Sequence, residues 1–341
     1  MKTDKTEPTL IFLDPEAEYT ELFSDYLKQS KDLPWTVRSY TRQEDLEENE
    51  KGRSASLLVL SERAYREGRP ELQAGRTVIL TESGLVGDVG CPLVSKYQPA
   101  DEIVQKLLEI YIDLSGDRPL PFRERAGGQK TKFIGIYTPV HRSMQTTYAL
   151  TLGQMLASEH RVLYLSFEHY AGLRELVPET QQKDLADLLF FLLSDEKRFL
   201  LRFHTIKRNI GGLDYIPPMK SGQNLLTIPG GEWLRLMDQV ESLGLYDYVL
   251  MDLTESMQGL FDILRKCDRV YTLTREDRVA KAKLMQYRQV LALYEYEDVL
   301  EKTKNCDLPR FHSLPAEVEQ YTRGGMAEYV KEAVRELERE R

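Results

Sequence analysis

The residues best placed for chemistry follow an apolar, strand-like run at 133–137 (FIGIY). A turn with the sequence TPVHRSMQTT comes next and leads into a helical pattern. Such a turn suits phosphate binding, because a helix N-terminus presents free N–H groups to an anion. Arg142 could attract that anion, although the turn lacks the glycines that let a backbone wrap a phosphate. The sequence therefore predicts the anatomy of a phosphate-binding loop with an altered cradle.

A carboxylate also stands where it could assist phosphate chemistry. Asp252 ends the apolar run YVLMD, and an acidic residue at that position can hold the water shell of Mg²⁺. It is equally an ordinary residue at the start of a loop, and both interpretations stay open. No HExxH, CxxC or GxSxG pattern occurs elsewhere in the chain, so we expect neither a metal centre, nor a disulfide framework, nor a hydrolase triad.

Alternating strands and helices must position these residues. In the first half, short apolar runs alternate with patterns in which apolar residues recur every three or four positions. The strand-like runs lie at 9–13, 35–40, 56–60 and 77–81, and the helical patterns lie at 17–28 and 100–114. This alternation predicts a parallel sheet covered by helices, and the fold class is α/β.

A change of composition separates two domains. The segment 115–131 (SGDRPLPFRERAGGQKT) contains two prolines, three glycines and six charged residues, which is typical of an exposed linker. We therefore predict a first domain over 1–114, a linker over 115–131 and a second domain over 132–341.

Composition and charge exclude several function classes. The net charge is −9, and residues 1–114 alone hold 22 acidic against 14 basic side chains. Nucleic-acid binding needs clustered lysine and arginine, so a protein partner is favoured. No apolar run approaches the roughly 20 residues that cross a bilayer, and the N-terminus is charged. We expect a cytoplasmic protein.

The first half resembles the receiver domains of bacterial response regulators in its length, its strand order and the motif LVSKYQP, in which Lys96 matches the family's lysine. The resemblance implies a flavodoxin-like sheet. Receivers take phosphate on an aspartate after the third strand, but Ser61 and Glu62 stand there instead. Asp14 and Glu16 occupy the family's Mg²⁺-binding end of the first strand, and we interpret them as a solvated strand end. We expect a pseudo-receiver that binds protein, and the alternative is phosphorylation on Ser61 or Glu62.

The second half resembles the MinD and ParA group of deviant Walker ATPases, which have a doubly wound P-loop NTPase fold. Nearly the whole chain resembles the CpaE and TadZ proteins of tight-adherence (Flp, type IVc) pilus systems, which fuse a receiver-like domain to such an ATPase domain. The family loop KGGVGKTT falls on residues 140–147. Further ordered matches are YDYVLMDLTES, GLDYIPP and RVYTLTR.

Laid on the family loop, most positions differ. Val140 replaces the family's signature lysine, and Gln145 replaces the lysine that neutralises phosphate charge. His141, Arg142 and Met144 replace three glycines, so we expect their side chains to obstruct or reshape the cradle.

Other landmarks are partly kept. Thr146 and Thr147 match the two threonines of the family loop, and Asp252 matches its Walker B aspartate. Ser166 replaces an aspartate, and Glu168 lies two residues further on, so we expect that carboxylate to be displaced or lost. The resemblance thus implies a vestigial nucleotide site formed by Arg142, Ser143, Gln145, Thr146, Thr147 and Asp252.

The function implied is placement rather than catalysis. By resemblance, the protein is a non-catalytic localisation or scaffold factor and a homodimer, with pilus and secretion machinery proteins as partners. We expect no nucleic acid, no membrane insertion, recruitment to the inner membrane face or cell pole, and no cofactor. ATP and Mg²⁺ would enter only if the degenerate loop still binds them. The alternative is an active ATP-binding switch of the MinD and ParA type.

The C-terminal segment 326–341 has apolar residues on one helical face and many glutamates on the other. A membrane-anchoring helix would carry a cationic face toward anionic lipid. We therefore predict that this helix packs on its own domain.

Overall fold

The computed structural model describes residues 8–29, 33–82, 90–115, 130–141, 144–177, 183–311 and 313–340. The chain divides into two units. The first consists of 1–124 with 197–205, and the second of 125–196 with 206–341. The predicted linker at 115–131 falls almost entirely outside the described residues, so the predicted domain boundaries remain a prediction.

The first unit alternates strands and helices along the chain. Its elements are β1 (Thr9–Leu13), α1 (Ala17–Gln29), β2 (Thr36–Tyr40), α2 (Gln43–Asn49), β3 (Ser54–Ser61), α3 (Glu62–Glu67), β4 (Gln73–Thr81), β5 (Leu93–Ser95) and α4 (Ala100–Ser115). Among the described residues the strands form one parallel sheet in the order β2-β1-β3-β4-β5. This is the flavodoxin-like order.

Both faces of this sheet are buried, as the continuous apolar runs predict. Successive side chains of a strand point to opposite faces. Leu10 and Phe12 of β1 accordingly pack into one core with α1 and α4, whereas Ile11 and Leu13 pack into the other with Leu46 of α2. The strand ends therefore meet at one edge of a rigid sheet, where functional side chains can be held.

The first unit also contains a segment from far along the chain. Leu201 is fully buried in the core cluster that includes Leu10 and Phe12. Arg198 Nη1 lies 3.5 Å from the carbonyl oxygen of Ile112 in α4. We predicted that residues 197–205 belong to the second domain, whereas the structure groups them with the first unit.

Leu201→Ala is expected to destabilise the first unit by about 2–5 kcal/mol, because it opens a cavity in a closed core. The chain has two tryptophans, Trp35 in the first unit and Trp233 in the second. Urea unfolding followed by Trp35 fluorescence in a Trp233→Phe background measures this loss. Leu22→Ala in α1 is the matched control, because that side chain lies in the same unit and is 66% exposed. Equal effects of the two changes would contradict the packing described.

The second unit is built in the same alternating way. Its strands are β6 (Lys132–Ile136), β7 (Val162–Ser166), β8 (Arg208–Ile210), β9 (Leu213–Ile216), β10 (Tyr248–Asp252), β11 (Arg269–Thr274) and β12 (Thr303–Asp307). Its helices are α5 (Gln145–Leu156), α6 (Leu173–Leu176), α7 (Leu185–Ser194), α9 (Gln223–Thr227), α10 (Gly230–Ser242), α11 (Leu260–Lys266), α12 (Arg278–Leu293), α13 (Glu297–Glu301) and α14 (Gly324–Arg339), while α8 (Phe199–Ile206) belongs to the first unit up to residue 205.

Strand β6 lies between β11 and β10 in the interior of the second sheet, whose order in the described residues is β12-β11-β6-β10-β7-β9-β8. Its neighbours β10 and β11 both run parallel to it. The pairing of β8 with β9 is antiparallel and lies at the edge. The predicted fold class, α/β with two parallel, helix-covered sheets, is confirmed. The C-terminal ends of β6, β7 and β10 lie side by side, which brings the loops after them together.

The C-terminal helix packs on its own unit, as predicted. Met326, Val330 and Leu337 of α14 are buried in the core cluster that contains α5. The hydroxyl of Tyr248 donates a hydrogen bond to the carbonyl of Leu337 at 3.1 Å. The apolar face of this helix is therefore part of the core.

In the part of the chain that the structure describes, no helix is both long enough and apolar enough to span a bilayer.

Candidate functional site

The loop between β6 and α5 keeps a glycine-like backbone without the glycines. His141 has a φ of 64° and Met144 a φ of 59°, both in the left-handed region. That region costs a residue with a Cβ about 1–2 kcal/mol. Whether the side chains obstruct or reshape the cradle stays a prediction. Two further residues of the predicted site, Arg142 and Ser143, lie outside the described residues.

A closed polar network fills the space beneath this loop. Asp252, at the end of β10, is fully buried, and its carboxylate accepts three hydrogen bonds. The donors are Gln145 Nε2 at 2.6 Å, the Thr146 hydroxyl at 2.7 Å and the Tyr164 hydroxyl at 2.9 Å. Burial raises the pKa of Asp252 above its ordinary value, although these three hydrogen bonds oppose the increase. The network joins two strands, β7 and β10, and helix α5 through one carboxylate.

Gln145 is the centre of this network. Its Nε2 donates to Asp252 and also lies 2.8 Å from the carbonyl oxygen of Leu253 and 3.2 Å from Glu168 Oε1. Its side chain is buried at the first position of α5. An amide nitrogen carries two hydrogens, so three acceptors occupy it completely. The amide nitrogen of Gln145 is thus fully used by the protein itself.

Glu168 also contacts this network. We predicted that the carboxylate expected at position 166 is displaced or lost, and Glu168, two residues further on, places Oε1 3.2 Å from Gln145 Nε2. The Phe167 amide donates to the carbonyl oxygen of Asp252 at 2.8 Å, which holds this segment at the end of β10, a long-range contact that strand spacing does not reveal. Burial and the nearby charges of Asp252 and Glu255 raise the pKa of Glu168 from 4.5 to about 7.

This pKa predicts a pH dependence of stability. Between pH 4.5 and about 7 the folded protein holds a proton on Glu168 that the unfolded chain releases. The contribution of this proton to the free energy of unfolding is therefore fully present below pH 4.5 and is lost as the pH rises through 7. The free energy of unfolding falls by about 1–2 kcal/mol over this range, after allowance for solvent screening.

Glu168→Gln should abolish most of that fall, and it should be more stable than the wild type by about 1 kcal/mol at pH 8. Urea unfolding at pH 5 and pH 8 measures the difference. Glu175→Gln, on the exposed part of α6, is the control and should behave as the wild type. A Glu168→Gln protein with an unchanged pH slope would show that this carboxyl ionises normally.

The predicted site residues are thus only partly brought together. Gln145, Thr146 and Asp252 meet in the network. The hydrogen bond at Thr147 instead lies within α5, where the Thr151 hydroxyl donates to the carbonyl oxygen of Thr147. Tyr164 was missed, because one tyrosine inside an apolar strand gives no functional signal. Lys283 was also missed, and its Nζ lies 3.4 Å from the carbonyl oxygen of Val140.

These side chains do not fit a magnesium nucleotide. Both carboxylate oxygens of Asp252 already accept hydrogen bonds from protein donors, so a metal would compete with three donors for this carboxylate. Gln145 adds no charge to neutralise phosphate oxygens and is held by three acceptors. A nucleotide would have to break this network before it could bind.

The first unit holds a second buried polar cluster at its strand ends. Lys96 follows β5, and its Nζ lies 2.8 Å from Asp14 Oδ2, 2.8 Å from Glu16 Oε2 and 3.1 Å from Glu82 Oε1. The ammonium also lies 4.4 Å from the ring centroid of Tyr19. Burial alone would lower the pKa of Lys96, but hydrogen bonds to Asp14 and Glu16 outweigh it and raise the pKa.

One prediction for this cluster is wrong. Asp14 is only 1% exposed, so the interpretation of a solvated strand end is wrong for this residue. Lys96 neutralises the carboxylate, which makes its burial possible.

Ser61 is buried, and its hydroxyl accepts from the Ala64 amide at the start of α3. Glu62 is buried and is bound by the Thr81 hydroxyl at 3.0 Å and by Arg66. Both alternative phosphate acceptors are therefore occupied in structural contacts.

Comparison with known proteins gives structural similarities only. No protein-family model matches the chain, and no curated protein is significantly similar to it in sequence. A ParA family ATPase from Chlorobium tepidum is 19% identical, with a TM-score of 0.41, over 51% of this chain and 72% of that one. A plasmid partition protein from Borrelia burgdorferi bound to AMPPNP is 14% identical, with a TM-score of 0.41, over 62% and 99%. The MinC:MinD cell division protein complex of Aquifex aeolicus is 17% identical, with a TM-score of 0.39, over 51% of this chain and 67% of that one.

Proposed function

We propose that this protein is a non-catalytic localisation or scaffold factor that acts through protein contacts and as a homodimer. In the more specific form of the proposal it belongs to tight-adherence pilus assembly, by its resemblance to CpaE and TadZ. It would work in the cytoplasm and be recruited to the inner membrane face or cell pole. Its partners would be the pilus secretion ATPase and its membrane platform.

One observation supports the non-catalytic part most directly. The buried network of Asp252, Gln145, Thr146 and Tyr164 is complete without a ligand. Phosphoryl transfer depends on positioned positive charge and a metal-binding carboxylate. Here an uncharged amide replaces the cation, and the carboxylate is saturated by protein donors. The same side chains that would serve catalysis instead hold β7, β10 and α5 together.

The charge distribution supports a protein partner. The net charge of −9 disfavours nucleic acid, and most of that charge lies in residues 1–114. Ser61 and Glu62 are engaged in structural contacts, which supports a first unit that binds protein without phosphorylation.

The oligomeric state with and without nucleotide tests this proposal. Sedimentation equilibrium should give the same dimer mass in buffer alone, with Mg-ATP and with Mg-ADP. A monomer that dimerises only with Mg-ATP would overturn the proposal and support the switch described next. A monomer under all three conditions would overturn the homodimer alone.

A second candidate function, an ATP-binding switch, has two observations in its favour. His141 and Met144 keep left-handed backbone angles that a phosphate-binding turn would need. Thr146 also still contacts Asp252. In this alternative, Mg-ATP displaces Gln145 from the network and drives dimerisation, and Asp252→Ala abolishes that effect.

The pilus assignment has its own test. Genes for a pilin and a secretion ATPase should neighbour the gene for this chain, and the purified secretion ATPase should bind the protein without nucleotide. A gene neighbourhood without pilus components would remove the pilus part and leave the scaffold proposal intact.

A further inference from the structure

A hollow of about 580 Å³ opens beside the loop after β6 in the second unit. Four aromatic rings line it, from Tyr137, Phe261, Tyr287 and Tyr296. We call it the aromatic hollow. The ring centroids of Tyr137 and Tyr287 are 5.5 Å apart, those of Phe261 and Tyr287 are 6.4 Å apart, and those of Phe261 and Tyr296 are 5.4 Å apart. Neighbouring rings are tilted by 55–60° to each other, so the wall is continuous and presents both faces and edges.

The charges around these rings favour a cation. Glu255 and Asp262 line the aromatic hollow, and Lys283 is the one lysine or arginine in its described lining. Glu255 Oε1 lies 3.3 Å from His141 Nε2, and Asp262 Oδ1 accepts from the Tyr296 hydroxyl at 2.6 Å, so each carboxylate keeps its second oxygen for a cation. Aromatic faces attract cations, and carboxylates at the rim add to that attraction. Lys283 opposes it but is turned toward the carbonyl oxygen of Val140.

The chain itself shows which cation suits this wall. The guanidinium of Arg265 lies 4.0 Å from the ring centroid of Tyr296 and binds Asp298 at 2.7 Å through Nη2 and at 3.0 Å through Nε. A planar guanidinium can stack on a ring and still form a two-point contact with a carboxylate. The Tyr287 hydroxyl is buried in this wall and has no hydrogen-bond partner among the described residues.

The same helix favours a protein as the source of that group. Helix α12 supplies Lys283 and Tyr287 to the aromatic hollow, and on its exposed surface Val279, Met285 and Leu293 are 64–74% accessible. Exposed apolar side chains next to a recess are typical of protein contacts. A hollow of this size also exceeds the needs of a lone guanidinium and is in the range that holds a larger group.

We propose that the aromatic hollow binds an arginine side chain of a partner protein, with its guanidinium against the rings and facing Glu255 and Asp262. This inference does not depend on whether the neighbouring loop binds nucleotide. The surface would give the protein a docking point for a basic segment.

Saturation-transfer NMR titrations of the full-length protein with N-acetyl-arginine amide test this proposal. N-acetyl-citrulline amide is the matched probe, because it has the same shape without the charge, and it should bind about tenfold more weakly. Equal binding of the two probes would overturn the proposal. Methylguanidinium that binds as tightly as the arginine probe would overturn the choice of a side chain in favour of a small compound.

Variants locate the site. Glu255→Gln and Asp262→Asn should each weaken binding of the arginine probe about three- to fivefold, and Lys283→Ala should strengthen it about threefold. Glu328→Gln on exposed α14 is the control and should bind as the wild type. Circular dichroism melting confirms that each variant is folded. Unchanged affinity in both carboxylate variants, or weaker binding by Lys283→Ala, would contradict the assignment.

Discussion

Asp252→Ala is expected to lower the free energy of unfolding by about 3–5 kcal/mol, because it strands donors in a fully buried site. The Thr146 and Tyr164 hydroxyls and the Gln145 amide all point at this one carboxylate. Removal of a residue from a working active site often leaves stability unchanged or raises it, since such sites trade stability for function. A large loss would therefore mark the network as structural.

Urea unfolding followed by Trp233 fluorescence in a Trp35→Phe background measures this effect in the second unit. Asp252→Asn is the matched control, because it keeps one carbonyl acceptor and should cost only about 1–2 kcal/mol. An Asp252→Ala protein as stable as the wild type would show that the network contributes nothing, and the structural interpretation would fail.

Lys96→Met is expected to destabilise the first unit by a similar amount, about 3–5 kcal/mol. The change removes the cation that lies among three carboxylates and leaves Asp14, which is 1% exposed, without its charge partner. The methionine side chain fills most of the space of the lysine stem, so the loss measures the charge rather than a cavity.

A double variant separates the two causes. Lys96→Met with Asp14→Asn should recover much of the stability, because the buried carboxylate is then absent. Lys28→Met on the exposed part of α1 is the control and should change stability by less than about 0.5 kcal/mol. Trp35 fluorescence in the Trp233→Phe background reports the first unit. A double variant as unstable as Lys96→Met would show that Asp14 is not the cause.

Local pattern was enough to predict much of the fold. The run 9–13 became β1 because it is a short, continuous apolar segment, and the pattern 100–114 became α4 because it is long and strongly periodic. The apolar face at 326–341 likewise predicted that α14 packs on its own unit. In each case the pattern records which face is buried, and that is a local property.

What covers each face could not be predicted from the same patterns. The periodicity of α8 shows that Leu201 must be buried, but nothing local says that it lies in the core of the first unit. The same limit explains the error at Asp14, whose partner Lys96 is 82 positions away in the chain. Contacts between distant strand ends depend on sheet order, which the sequence does not state.

The candidate site shows the same division. The resemblance singled out Gln145, Thr146 and Asp252, and all three meet at the end of β10. Tyr164 and Glu168 complete the network, and only the parallel pairing of β7 with β10 brings them there. The sequence alone shows which residues differ from the loop that it resembles, whereas only the structure shows the contacts that hold those residues.

Isothermal titration calorimetry with Mg-ATP, carried to millimolar concentration, tests the central claim most directly. The wild type should give no saturable heat, and Asp252→Asn should give the same flat titration, because in both proteins Gln145 and its acceptors exclude the nucleotide. Saturable binding by the wild type that weakens in Asp252→Asn would contradict the account and show that the loop after β6 still takes a nucleotide.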